Sequence, residues 1–273
     1  ARRAYGGNDA ATDANAFMYE RYVSSGSFGT APASAADLAP RMPAMRRIVR
    51  RFFPADRDAA VLDLGCGTGA ATLAFARAGL QTTGLDRSPE MLTRAHELAE
   101  AAALRVEFID GDMIDLHLSG QFDLATCVYD AVNYLDSEFV LQQFLRAVHD
   151  TLEPGGIFAF DMNTRSRLES SWEQGLMLAG DSDDLYVTYR SWYDSALDAS
   201  PLVVTGFMRN PDLSWTRFDE EHIERSWPIA DVTAWLQHAG FQVEQVTGYV
   251  DSTGDLLRPA REDHGRVLFL ASR

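Results

Sequence analysis

The segment Val61-Leu62-Asp63-Leu64-Gly65-Cys66-Gly67-Thr68-Gly69 restricts the fold of this chain more than any other. A short apolar run leads directly into glycines at alternate positions, and a helix-forming stretch, Ala70 to Ala78, follows and is ended by Gly79. The run is too short for a helix, so it reads as a buried strand. The glycines make a tight turn whose bare backbone can lie against a ligand. Strand, glycine turn and helix together make one βα unit.

The same rhythm continues downstream. Gln81 to Leu85 reads as a second strand, and Ser88 caps the next helix with Pro89 in its first turn. Arg105 to Ile109, Phe122 to Val128 and Ile157 to Phe160 read as further strands. The helix Ser137 to Leu152 precedes the last of these and stops at Glu153-Pro154-Gly155-Gly156. Repeated βα units require a parallel sheet with helices on both faces. After Asn163 the rhythm changes. Leu185 to Tyr193, Leu202 to Arg209 and Ser214 to Trp227 have strand composition with no helical crossovers between them, which predicts a small antiparallel insertion. Pro228 opens a helix over Ile229 to His238, and the strands Phe241 to Val250 and Val267 to Leu270 close the chain.

Four segments follow from this reading: 1–56 a helical cover, 57–163 the ligand-binding core, 164–227 the β insertion as a substrate cap, and 228–273 the helix and strand pair that complete the core sheet. The length of 273 residues, 46% of them hydrophobic, suits one α/β domain with such an insertion.

Composition excludes several function classes. The net charge of −16 argues against a nucleic-acid partner, because phosphate neutralisation needs a basic face. The arginines at 46, 47, 50 and 51 alternate with apolar residues as a solvated helix face would. All basic residues are arginine, so a lysine nucleophile or Schiff base is excluded. No run of 18 apolar residues is present, so no membrane span is expected. Ala1-Arg2-Arg3-Ala4-Tyr5 lacks the apolar stretch of a secretory signal, and Cys66 and Cys127 lie in no metal or redox spacing. A reducing cytoplasm is the expected compartment.

The glycine loop does not identify its ligand by itself. Gly65, Gly67 and Ala70 also satisfy the dinucleotide pattern G-x-G-x-x-G/A, which leaves a nicotinamide oxidoreductase open. Three acids separate the readings. Asp63, two residues before Gly65, could pair with a ligand ammonium, whereas a pyrophosphate there would be repelled. Asp86 ends the second strand, where an acid receives ribose hydroxyls. Asp112, in Ile109-Asp110-Gly111-Asp112-Met113, could accept from an adenine amino group.

Taken together these residues resemble the class I S-adenosylmethionine-dependent methyltransferases, as do Ser88-Pro89-Glu90-Met91-Leu92, Phe122-Asp123-Leu124-Ala125 and Leu152-Glu153-Pro154-Gly155-Gly156. The resemblance covers about Ala59 to Phe160 and, more loosely, the closing helix and strands. It implies a Rossmann-like, seven-stranded, mostly parallel sheet with one antiparallel strand. It also implies S-adenosyl-L-methionine as cofactor and S-adenosyl-L-homocysteine as product. The implied cofactor contacts are Asp63, Gly65, Cys66, Gly67 and Gly69 in the loop, Asp86, Arg87 and Met91 after the second strand, and Asp112 and Met113 after the third. Tyr129 follows the fourth strand, and Tyr22, with Tyr19, belongs to an N-terminal segment that covers the cofactor in related enzymes. Cys66 is expected only as a small side chain beside the cofactor.

Methyl transfer from a sulfonium is an in-line displacement, so the enzyme contributes alignment, dryness and, for some acceptors, a base. In this family the loop after strand four, Tyr129-Asp130-Ala131-Val132-Asn133-Tyr134, passes between cofactor and acceptor. Asp130 could orient or deprotonate the acceptor, and Tyr134 could line its pocket; the alternatives are a loop cap and a core residue. His222 in Glu221-His222-Ile223-Glu224-Arg225 is the third catalytic candidate, histidine being the residue type suited to act as a base near neutral pH, against a structural hydrogen-bonding role. Arg190 and Arg225 could bind a carboxylate. Trp172, Tyr186, Tyr189, Trp192, Tyr193, Phe207 and Trp215 could build an acceptor cavity, a homodimer contact or the insertion's own core. Asp130 with Asp161 and Asn163 has the oxygen chemistry of a magnesium site. The spacing Asp161-Met162-Asn163 departs from the adjacent pair of catechol-type methyltransferases, and no metal is expected. The expected acceptor is a small molecule, methylated on nitrogen in preference to oxygen; RNA or protein is the alternative.

Overall fold

The computed structural model describes residues 59–118, 122–172, 175–181, 183–210, 212–250, 255–257 and 259–273. Along these the elements are β1 (Ala60–Leu64), α1 (Ala70–Arg77), β2 (Gln81–Asp86), α2 (Pro89–Ala101), β3 (Glu107–Asp110), β4 (Phe122–Cys127), a 3-10 turn (Ala131–Tyr134), α3 (Glu138–Thr151) and β5 (Leu152–Asn163). They continue with α4 (Arg165–Trp172), β6 (Gly175–Asp181), β7 (Leu185–Ser191), β8 (Ala199–Arg209), β9 (Trp215–Arg225), α5 (Ile229–His238), β10 (Gln242–Val250), β11 (Asp255–Leu257) and β12 (Arg266–Ser272).

The capping residues expected from sequence act as caps. Ser88 accepts the Met91 N–H ahead of Pro89, and Ser137 accepts the Val140 N–H, each supplying an oxygen to an otherwise orphaned amide.

The main sheet has the order β11-β10-β12-β5-β4-β1-β2-β3. β3, β2, β1, β4 and β5 are parallel, β12 runs antiparallel to β5, and β10 antiparallel to β12. This is the Rossmann-like seven-stranded arrangement with one antiparallel strand. The short β11, paired antiparallel with β10, adds an eighth strand that the sequence reading omits. Strand order reverses between β1 and β4, so the crevice beyond their carboxyl ends is where a ligand enters.

Both faces of this sheet are covered. Leu62, Leu64, Phe158, Phe160 and Phe269 pack with Phe144 and Leu145 of α3 and Leu236 of α5 on one side. Val61, Leu124 and Ile157 pack with Phe75 of α1 on the other. Phe160 stacks on both Phe158 and Phe269, with ring centroids 4.7 and 4.9 Å apart. Truncating a ring buried like these costs about 3–5 kcal/mol, so this stack anchors the antiparallel pair to the parallel sheet.

The insertion is larger than the sequence implies. It contains the helix α4 and a four-stranded sheet, β6-β7-β8-β9, where three strands are expected. β6 (Gly-Leu-Met-Leu-Ala-Gly-Asp) has no β-branched or aromatic residue and escapes a composition rule. It is specified instead by pairing along β7. One face of this sheet carries its own core of Leu185, Val187, Tyr189, Leu202, Val204, Met208 and Phe218. Tyr186, Trp192 and Trp215 are exposed, so the aromatic residues divide between that core and the surface.

Candidate functional site

The glycine loop joins β1 to α1 at the switch point, held from below and from the side. Cys66 donates its N–H to Leu85 O at 3.0 Å, and Gly67 donates to Asp86 Oδ2 at 2.7 Å, which ties the loop to the end of β2. Gly67 has φ +54, and a Cβ built there meets nothing within 4 Å. The backbone conformation requires glycine, and the space above it is open for a ligand.

Asp63 lies beneath this loop, 1% exposed. Its Oδ2 accepts the Thr72 hydroxyl at 2.6 Å and its Oδ1 accepts the Thr126 hydroxyl at 2.7 Å. Burial raises its pKa to about 6 against the opposing effect of both hydroxyls. The acid thus stitches β1 to α1 and β4. The two hydroxyls leave each oxygen a second lone pair, so the expected ion pair with a ligand ammonium breaks neither hydroxyl bond and needs only access to an acid that is almost fully covered. Cys66 is buried beside it, and burial, followed by the charges of Asp63 and Asp86, pushes the thiol pKa up. The side chain fills the space left by Gly84, where a Cβ would come within 2.9 Å of its sulfur, so it serves as packing and not as a nucleophile.

Asp86 stands at the mouth. Its Oδ1 accepts the Ser88 N–H and its Oδ2 the Gly67 N–H, and each oxygen keeps a second lone pair for a ligand hydroxyl. Burial raises its pKa, opposed by those two amides. Arg87 and Asp112 approach to 3.6 Å across the same rim, Asp112 also accepts the Ile114 N–H, and Met91 and Met113 are half-buried alongside. Tyr22 and Tyr19 lie outside the described residues.

The loop after β4 is the second half of the site. Tyr129 and Asp130 are consecutive non-glycine residues at φ 64 and 57, and Asp130 begins the 3-10 turn, its carbonyl accepting the Asn133 N–H. The turn's first residue abuts the glycine loop: a Cβ on Gly65 would lie 3.4 Å from Ala131 Cβ. Its last residue, Tyr134, meets His222 of β9 edge to face with centroids 6.0 Å apart. Asn133, fully buried, donates to Asn163 O and to Arg225 O, and Trp227 donates to Val132 O. The turn therefore joins the cofactor loop to the insertion.

Phe218, Glu220, His222 and Glu224 share one face of β9 by the two-residue period of a strand, and this face points inward. His222 is 4% exposed, and its Nε2 lies 3.1 Å from Glu220 Oε2. Glu224 accepts the Asn163 Nδ2–H at 2.8 Å; burial, then the Asp130 carboxylate, pushes its pKa up to about 8. Asp130 and Asp161, weighed above as oxygen ligands for a metal that is not expected, both receive the Arg266 guanidinium, at 2.7 and 3.2 Å. Among the described residues no group of three His, Cys, Asp or Glu side chains could hold a metal ion.

Of the sequence candidates, Asp130, Tyr134 and His222 converge, and the loop, Asp86 and Asp112 line the adjoining crevice. Glu220, Glu224, Arg266 and the two threonines were missed. The alternation Glu220-x-His222-x-Glu224 on an inward strand face was a legible signal for the first two, whereas Arg266 lies 136 residues from Asp130 and carries none.

A methyltransferase-domain model matches residues 61–156. A methyltransferase-family protein of Geobacillus sp. (strain WCH70) is 30% identical over 214 residues, which cover 78% of this chain and 84% of that one. The chain belongs to the class I S-adenosylmethionine-dependent methyltransferases. An S-adenosylmethionine-dependent methyltransferase from Clostridium acetobutylicum shares its fold, with TM-score 0.68, 24% identity and coverage of 85% and 98% of the two chains. So does the sugar N-methyltransferase KedS8 from Streptoalloteichus sp., with TM-score 0.69, 21% identity and coverage of 100% and 97%.

Membership makes this an S-adenosylmethionine-dependent enzyme and sets aside the nicotinamide reading of the glycine loop. The residues present fit that group. Gly67 leaves open space at the turn, and Asp86 can accept a diol at the end of β2. Such acceptor chemistry suits a ribose better than a phosphate. Among the described residues no helix is long and apolar enough to cross a membrane.

Proposed function

We propose that this methyltransferase acts on a small-molecule acceptor, on nitrogen in preference to oxygen, held between the 129–134 loop and the inward face of β9. The observation that carries this reading is the Glu220–His222 pair, buried edge-on to Tyr134 at the far end of a turn that begins against the cofactor loop.

Asp86 and Asp112 would hold the ribose and adenine of the cofactor, with Arg87, Met91 and Met113 beside them. Gly65, Gly67, Gly69 and Tyr129 would border its methionine portion, with Asp63 as the support beneath, and Tyr22 would close the site from the N-terminal segment. When bound, the cofactor supplies an electrophilic methyl group on a sulfonium, displaced in line by the acceptor. Tyr134 lines the acceptor's path, and Asp130 orients it. His222 takes the proton that an N–H or O–H nucleophile must lose, and Glu220 stabilises the resulting imidazolium.

A polar small-molecule acceptor has its own support. Asn163 Oδ1 and Glu220 Oε1 are buried acceptor atoms with no hydrogen-bond partner among the described residues. They call for a ligand that presents hydrogen-bond donors, which an amine or a hydroxyl supplies alike. The resemblance to a sugar N-methyltransferase fold agrees with a compact acceptor, and the net charge of −16 opposes RNA. The segments 1–56 and 164–227 then act as cover and substrate cap, with a homodimer through the exposed aromatics as the alternative use of the insertion.

The test combines calorimetry with S-adenosylhomocysteine and a mass-shift screen of cell metabolites for gain of one methyl group. His222→Asn is expected to keep product-nucleoside binding and to lose transfer by about 100-fold or more, as for a removed general base. Labelled RNA or protein without a labelled small molecule would overturn the acceptor reading, and unchanged turnover in His222→Asn would remove its role.

A further inference from the structure

The loop that faces the acceptor is held in a conformation its own residues disfavour. Tyr129 and Asp130 both have positive φ, 64 and 57, and neither is glycine. One bulky residue in the left-handed region is uncommon, and two in succession persist only where the surroundings over-determine them. The surroundings here form a closed ring of polar contacts. Arg266 Nη2 donates to Asp130 Oδ1 at 2.7 Å, Arg266 Nη1 donates to Asp161 Oδ2 at 3.2 Å, and Asp161 Oδ1 accepts the Asp130 backbone N–H at 2.8 Å. One guanidinium therefore grips both the side chain of Asp130 and the carboxylate that grips its backbone. Arg266 opens β12 opposite Asn163 at the end of β5 and is 5% exposed, so its fork is aimed by the sheet.

We infer that Arg266 is a positioning residue: it clamps the Tyr129–Asp130 step in the left-handed conformation that seats the 131–134 turn against the cofactor loop. The inference rests on the S-adenosylmethionine site described above, because its consequence is read at that site. If the clamp opens, the two φ values relax to negative, the turn pivots, and Ala131 leaves Gly65. Cofactor binding and the aim of Asp130 and Tyr134 then fail together.

The experiment uses the full chain, S-adenosylhomocysteine as calorimetric probe, and crystal structures of the variants. Arg266→Gln is expected to bind the probe about tenfold more weakly, and Arg266→Lys, a point charge that cannot fork across two carboxylates, about threefold more weakly. In the double variant Arg266→Gln, Asp130→Gly, the glycine adopts positive φ without help. Probe affinity should recover to within about threefold of wild type, while methyl transfer stays lost because Asp130 is gone. A salt bridge that only stabilises the fold predicts lower stability with affinity unchanged and no rescue by glycine. A folded Arg266→Gln that binds as tightly as wild type, or a double variant no better than the single, overturns the inference. Should Arg266→Gln not fold, Arg266→Lys decides: positive φ retained at both residues with unchanged affinity is the overturning result. Failure of the wild type to bind the probe would instead sink the cofactor site. Even then the crystal structure of Arg266→Lys would still decide whether the clamp holds the two φ values.

Discussion

Replacing Glu224 with glutamine should stabilise the protein at neutral pH, by an amount that grows with pH. Glu224 is 3% exposed, and its carboxyl keeps its proton up to about pH 8, because burial and then the neighbouring Asp130 charge disfavour the anion. In the unfolded chain the same group ionises near its ordinary value of 4.5. Between those values the native state binds a proton that the unfolded state has lost, so stability falls as pH rises from about 4.5 to about 8 and levels off above. From 4.5 to 7 at about 1.36 kcal/mol per pH unit, the loss is about 3 kcal/mol. Glutamine has the same shape, still accepts the Asn163 amide and has no proton to lose. Urea unfolding of wild type and Glu224→Gln across pH 4.5 to 8.5 should give stability curves that converge at the acid end and part by about 3 kcal/mol at pH 7, with the variant the more stable. Parallel curves, offset by a constant amount, would mean that Glu224 is ionised in the native state and that the proton assigned to this site is absent.

Two further substitutions probe the supports of the site. Thr126→Val removes the hydroxyl on Asp63 Oδ1; it should cost about 1–3 kcal/mol at neutral pH by urea unfolding and push the Asp63 pKa further above about 6. A variant as stable as wild type would show that water can replace the threonine. Gly206→Ala would place a Cβ 2.1 Å from Phe218 Cζ in the insertion's own core, with an expected loss of about 1–3 kcal/mol that Phe218→Leu relieves. S-adenosylhomocysteine affinity should stay at the wild-type level in Gly206→Ala, and weakened binding would show that the insertion's core is coupled to the cofactor crevice.

The parts of the fold that rest on local chemistry could be read directly. Ser88 and Ser137 cap helices because their side chains reach amides three residues on, and Gly67 turns because its φ demands it. The core strands were legible as apolar runs because burial on both faces imposes apolarity at successive positions. β6 was not: its strand state comes from hydrogen bonding to β7, and Leu176 and Leu178 face solvent where no core pattern constrains them. The helix α4 was also missed, since its polar sequence, Arg-Ser-Arg-Leu-Glu-Ser-Ser-Trp, shows little amphipathic period.

The candidate site divides along the same line. By itself the sequence determined the strand, the glycine turn and the placing of the acids at 63, 86 and 112 that make up the proposed cofactor half, since all lie within 50 residues and depend on local geometry. Only the tertiary structure decided the acceptor half. It brought Glu220 and His222 of the insertion against Tyr134 and carried Arg266 to Asp130. These pairings follow from the order in which strands join the sheet. Strand order is set by packing across the whole domain, and no local pattern along the chain records it.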